Sequence, residues 1–99
     1  MAKTKTSTTS KVEIKFPDRY NIVIYNDDFT PMEFVIQLLI EVFDRTIDEA
    51  KGVTLQVHEA GSGIAGTYFH ELAEQKYQEA TIITRHNGHP LRIAMEKMS

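Results

Sequence analysis

Cysteine and tryptophan are both absent from the 99 residues, and only three prolines and five glycines occur. The missing thiol excludes disulfides, thiolate catalysis and cysteine-based zinc sites. Long hydrophobic runs are absent as well. The longest uncharged apolar stretch, Phe34 to Ile40 with Gln37 inside it, is far short of the roughly 20 residues that span a bilayer. Length excludes a second domain, because two separate cores would each be too small to offset chain entropy. A domain of this size buries only about 60–70% of its unfolded surface, which leaves no room for a deep, multi-walled cavity and a cofactor. No cofactor is expected. What is present, 41% hydrophobic and 25% charged residues, is the composition of an ordinary soluble globule. A small, one-domain, cytoplasmic protein is the starting expectation.

Charge is uneven along the chain. Eleven basic against fourteen acidic residues give −3. Lys3, Lys5 and Lys11 fall in the first eleven positions with no acid, leaving eight bases against fourteen acids, −6, in the rest. An acidic body argues against nucleic acid, whose phosphates need a clustered basic surface. It suits a cationic ligand through the summed field. The Lys/Thr/Ser-rich leader lacks a secretory apolar segment and is expected to be a flexible extension over residues 1–18, with the folded domain over 19–99.

Patterning predicts β-α-α-β-α-β, with no internal repeat. Tyr20 to Tyr25 is a β-branched and aromatic run between turn-forming residues, hence a strand. Thr30-Pro31-Met32-Glu33 reads as a capping box with proline at the first helical position, flanked by Phe29 and Phe34 as a hydrophobic staple. A helix from Pro31 to Phe43 is expected, with Phe34, Leu38 and Val42 on one face. A second capping box, Thr46 with Glu49, opens a helix reaching about His58 and stopped by Gly61. Gly61-Ser62-Gly63 reads as a turn. Ile64 to Phe69 reads as a strand, with Gly66 as a bulge or close-approach point. His70 to His86 keeps helical spacing, and Leu91 to Met95 alternates as a last strand. The fold class is α+β: a small three-stranded antiparallel sheet packed against three helices.

The chemistry-bearing residues are few. Asn26-Asp27-Asp28 stands between a strand and a helix, where such residues serve turns and offset the helix dipole. It is also an acceptor-rich cluster with no Lys or Arg between Arg19 and Arg45. That suits an ammonium ion, whose three N–H donors each need a partner. Magnesium or calcium is the other use of clustered oxygens, but the alternate spacing of an EF-hand loop is missing. His58, His70, His86 and His89 have no H-x-x-x-H or H-E-x-x-H spacing. Asp27, Asp28, His58 and His89 could formally compose a metal site. No nucleophile elbow exists, and Gly61-Ser62-Gly63 is too short for a phosphate loop. Met32 with Val35, and Thr54 with Val57, lie one turn apart on their helices, a spacing that serves a core or a pocket wall equally.

The string Asn26-Asp27-Asp28-Phe29-Thr30-Pro31-Met32-Glu33-Phe34-Val35, with Val57-His58 and His89-Pro90-Leu91, resembles the ClpS adaptor family, ungapped from Tyr20 to the C-terminus. The resemblance implies the same β-α-α-β-α-β fold and no enzymatic activity. It implies recognition of N-degrons, proteins with a destabilising N-terminal residue such as Phe, Tyr, Trp or Leu. These would be handed to a Clp AAA+ unfoldase of the ClpA or ClpC type coupled to ClpP protease, by a monomer with no nucleic-acid or membrane partner. Carried over residue by residue, Asn26 and His58 would bond the ligand's α-ammonium, with Asp27 supplying negative charge. Neutral imidazole accepts a hydrogen bond and imidazolium does not, so binding should weaken in acid. Asp28 and Thr30 would shape the rim, while Met32, Val35, Val57 and Leu91 would line the apolar slot.

Burying a Leu or Phe side chain in that slot is worth roughly 1.5–3 kcal/mol. An acceptor left unpaired by an acetylated terminus costs about 1–3 kcal/mol. Only a free N-terminus satisfies both. Thr54 stands where well-known family members carry a methionine gate, which would leave the mouth wider or wetter and shift the preference between Leu and aromatics. Glu71 and Lys76 match the family's unfoldase-docking charges on the third helix, and the leader matches its N-terminal extension. Two rival expectations stand beside this one: an unfoldase-binding module with altered or lost N-degron selectivity, and a small metal-dependent hydrolase.

Overall fold

A computed structural model describes residues 17–98. The expected flexible leader falls largely on residues 1–16, outside the described residues. The elements are β1 (Arg19–Tyr25), α1 (Met32–Glu41), α2 (Ile47–Ala60), β2 (Ser62–Phe69), α3 (His70–His86) and β3 (Arg92–Lys97). Both pairings in the sheet are antiparallel, in the order β2-β1-β3. The β-branched run therefore supplies the central strand, and Ile22 and Ile24 are fully buried in the core with Leu38, Leu39, Val42 and Leu91. All three strands pack against α3, while α2 packs against both α1 and β2. No helix among the described residues is long and apolar enough to cross a membrane.

Three local features position the helices. At the start of α2 the Thr46 hydroxyl accepts from the Glu49 N–H at 3.1 Å, and the Glu49 carboxylate accepts from the Thr46 N–H at 3.0 Å, a complete capping box. After α1, Asp44 enters the left-handed region at φ 56 and the Arg45 N–H returns to the Leu39 carbonyl. Lys76 Nζ then donates to the orphan carbonyl of Val42 at 2.7 Å, tying α3 to the end of α1. In the sheet, the register slips between Ile22 and Val23, whose β2 partners are Gly66 and Ile64, so Ala65 is the bulged residue. The Ala65 carbonyl accepts from Arg45 Nε at 2.8 Å. A Cβ on Gly66 would come within 2.7 Å of the Tyr68 ring, which stacks on Phe43, so this position requires close approach as its sequence context suggested.

Two expectations are corrected. Thr30 does not cap α1: the N-cap is Pro31 with no side-chain cap bond, the Thr30 N–H and hydroxyl both go to Asp27, and Phe29 is 80% exposed rather than stapled. Gly61-Ser62-Gly63 is not a three-residue turn. Gly61 alone reverses the chain at φ 93 as the α2 C-cap, and β2 starts at Ser62. The Gly61 carbonyl accepts from the Asn26 N–H at 2.9 Å, which continues the β1–β2 ladder and draws Ser62 into the sheet.

Candidate functional site

The end of β1 delivers the chain into a loop organised by one carboxylate. Asp27 Oδ1 accepts from the backbone N–H of Phe29 and of Thr30, both at 2.7 Å, and Oδ2 accepts from the Thr30 hydroxyl at 2.8 Å. Partial burial pushes the Asp27 carboxyl up. The bonds from Thr30 and Phe29, with the charge of His89, outweigh it and hold the group below its ordinary value. Asp27 is thereby an ionised, fixed acceptor. Its neighbour Asn26 is exposed, with its backbone anchored to Gly61.

Around this loop lies a solvent-open cleft of about 260 Å³, lined by Tyr25, Asn26, Asp27, Thr30, Met32, Val35, Thr54, Val57, His58 and Leu91. Four elements or their ends contribute. Val35 comes from α1, Thr54 and Val57 from α2, and Leu91 from the residue just before β3. These four are buried, whereas Asn26, Met32 and His58 are exposed and Asp27 and Thr30 half-buried. The cleft is thus polar at its mouth and aliphatic at its floor, with a single hydroxyl, that of Thr54, among the floor residues.

Supporting contacts fix that floor. Gly63 lets β2 approach α2 closely enough that a Cβ there would sit 2.9 Å from Val57 Cγ2, so the strand presses Val57 into place. Arg85 donates one guanidinium nitrogen to the carbonyls of His89 at 2.9 Å and Leu91 at 3.0 Å, holding the α3–β3 connection down. Phe34 packs on the His89 ring at 4.4 Å between centroids. On the outer side, the Tyr25 hydroxyl donates to Glu96 Oε2 at 2.6 Å and the Arg92 guanidinium lies 4.4 Å from the Tyr25 ring centre. The bond to Glu96, ahead of burial and the Glu96 charge, holds the Tyr25 phenol above its ordinary value.

Of the residues singled out from sequence, Asn26, Asp27, His58, Thr30, Met32, Val35, Thr54, Val57 and Leu91 meet in this cleft, and Asp28 is outside its lining. Tyr25 lines it unforeseen: a strand-end tyrosine reads from sequence as ordinary sheet. Glu71 and Lys76 are both on α3, away from the cleft. Glu71 is exposed in the first turn, but the Lys76 side chain is only 17% exposed and pairs with Asp44 at 3.4 Å as well as with Val42. The two are five residues apart, about 140° around the helix, and do not share a face. Among the described residues no group of three His, Asp or Glu side chains comes together as a metal set.

The sequence model described as ATP-dependent Clp protease adaptor protein ClpS matches residues 15–94. The chain belongs to the ClpS family. This ClpS-family chain is 40% identical over 98 residues to the ATP-dependent Clp protease adapter protein ClpS of Helicobacter hepaticus, covering 99% of each chain. It is 44% identical over 95 residues to that of Desulforapulum autotrophicum, covering 94% of this chain and 91% of the relative. Among solved structures, Agrobacterium tumefaciens ClpS2 bound to L-phenylalaninamide matches with a TM-score of 0.80 at 34% identity, over 84% of this chain and 100% of the other. The ClpS family is a family of protease adaptors rather than of known enzymes, and the β-α-α-β-α-β order expected from its resemblance is the order found.

Proposed function

We propose that this protein is a non-enzymatic adaptor whose cleft binds the free N-terminal residue of N-degron substrates and delivers them to a Clp AAA+ unfoldase coupled to ClpP. The observation that carries this reading is the polarity of the cleft, with acceptors at the mouth and Val35, Val57 and Leu91 buried at the floor. A similar protein, ClpS2, binds L-phenylalaninamide, a molecule with the same two parts: a free amine and an apolar side chain. Asn26 and His58 accept from the α-ammonium, and ionised Asp27 adds attraction while keeping the loop in shape. Met32, Val35, Val57 and Leu91 enclose the bulky side chain, and Thr30 and Asp28 flank the first peptide unit.

On the docking side, Glu71 presents an exposed charge in the first turn of α3, and Lys76 contributes by holding the end of α1. The unfoldase is of the ClpA or ClpC type, and the leader assists delivery.

Fluorescence anisotropy with a Phe-initiated peptide tests the binding step. Saturable binding is expected, reduced at least tenfold by N-acetylation and by Asn26→Ala, in line with the loss of about 1.4 kcal/mol or more. Equal affinity for the acetylated peptide would remove the proposal. Unfoldase binding without any peptide binding would instead favour a docking module that has lost degron selection.

A further inference from the structure

The floor of the cleft contains a polar atom that the fold leaves unserved. Thr54 is 3% exposed and lines the cleft, and among the described residues its buried Oγ1 has no hydrogen-bond partner. A threonine hydroxyl inside a helix can bond back to a carbonyl one turn earlier, here that of Ala50, and this one does not. The buried hydroxyls of Thr81 and Thr84 on α3 are also without partners, but Thr54 alone of the three lines the cleft. The other two hydroxyls in the lining are committed, Thr30 to Asp27 and Tyr25 to Glu96. Every other buried residue of the lining, Val35, Val57 and Leu91, is aliphatic. A buried hydroxyl without a partner carries a desolvation cost that is recovered only when some group bonds to it.

An occupant with an apolar side chain ending in one polar atom supplies that group. A phenol both donates and accepts, as does the threonine hydroxyl, so the two can pair in either sense. Phenyl and isobutyl groups cannot. We infer that Thr54 makes this cleft selective for N-terminal tyrosine over N-terminal phenylalanine, through a hydrogen bond between its hydroxyl and the tyrosine phenol. The inference rests on the proposed binding of N-terminal residues and adds to it which side chain is preferred and why. The acceptors at the mouth read the ammonium that every free N-terminus carries, whereas Thr54 reads one atom that distinguishes two otherwise matching aromatic rings.

The test is a titration of two peptides identical except for Tyr or Phe at the N-terminus, against the wild type, Thr54→Val and Thr54→Ser. Valine keeps the shape and removes the hydroxyl, and serine keeps the hydroxyl. The wild type is expected to bind the Tyr peptide about five- to tenfold more tightly, the worth of one net hydrogen bond. Thr54→Val is expected to bring the ratio to one or below, and Thr54→Ser to retain it. A Tyr-to-Phe ratio that is the same in the wild type and Thr54→Val overturns the inference and leaves the cleft reading intact. Failure of both peptides to bind the wild type overturns the two together. Should Thr54→Val not fold, the wild-type ratio decides alone, and equal binding or a preference for phenylalanine overturns the inference.

Discussion

Two helix starts in this chain carry the same pattern, a threonine followed three positions later by a glutamate, and they fold differently. Thr46 and Glu49 exchange their bonds and cap α2, whereas Thr30 turns away from α1 and gives its hydroxyl to Asp27. The difference lies in the acid that precedes each threonine. Asp27 is three residues before Thr30, close enough to take both its hydroxyl and the N–H that a capping box would give to Glu33, and α1 begins one residue later with Pro31 as its N-cap. Asp44 is two residues before Thr46, in a left-handed conformation that faces it toward Lys76 instead. A helix cap is thus given up where the loop has a site to build and kept where it has none. The same contrast separates a carboxylate that organises a cleft mouth from one that only ends a helix.

The largest test of this contrast is Asp27→Ala. It removes three bonds that hold the loop, and peptide binding is expected to fall by on the order of 30-fold, given the strength of hydrogen bonds to a charged acceptor. Binding curves that match the wild type would deny Asp27 its organising role. The mirror experiment, Thr46→Ala, is expected to cost about 1 kcal/mol of stability in denaturant unfolding while leaving peptide affinity unchanged. Glu33→Ala at the start of α1 should leave the midpoint where it is, since no cap bond exists there to lose.

The smallest effect concerns pH. Both Asp27 and Glu49 are held below their ordinary values, 3.8 and 4.5, so the stability they contribute is complete above those values and is lost only as pH falls through the lower folded values. Neither carboxylate therefore accounts for any change between pH 8 and 6. The amides of Phe29 and Thr30, which donate to Asp27, should keep their NMR shifts until pH drops below 3.8, and that of Thr46, which donates to Glu49, until it drops below 4.5. Movement of those shifts near neutrality would contradict the assignment.

Much of the fold is legible in the chain because pattern and local chemistry agree. The α3 helix runs from His70 to His86 as its spacing predicts, the Thr46–Glu49 box forms, and Gly66 is a close-approach point beside the bulge at Ala65. Legibility fails where one side chain has two partners to choose from. Nothing in the string Asp27-Asp28-Phe29-Thr30 says that Asp27 takes the threonine, or that Asp27 lines the cleft while Asp28 stays outside it. Lys76 and Arg85 each serve backbone carbonyls across a gap that sequence spacing cannot measure. Tyr25 reads as sheet because nothing in its strand says that its end borders the cleft while its ring and hydroxyl meet Arg92 and Glu96 of β3. The nine residues that meet in the cleft came from resemblance over a long string, not from periodicity, since stripes of Met32 with Val35 and Thr54 with Val57 fit a core equally well.

An amide NMR titration with an unlabelled Phe-initiated peptide tests the central claim most directly. Progressive shifts are predicted at Asn26, Thr30, Val35, Thr54, Val57, His58 and Leu91, with the Thr46–Glu49 turn of α2 silent. Shifts centred elsewhere on the molecule, or an N-acetylated peptide giving the same map at the same concentrations, would contradict it.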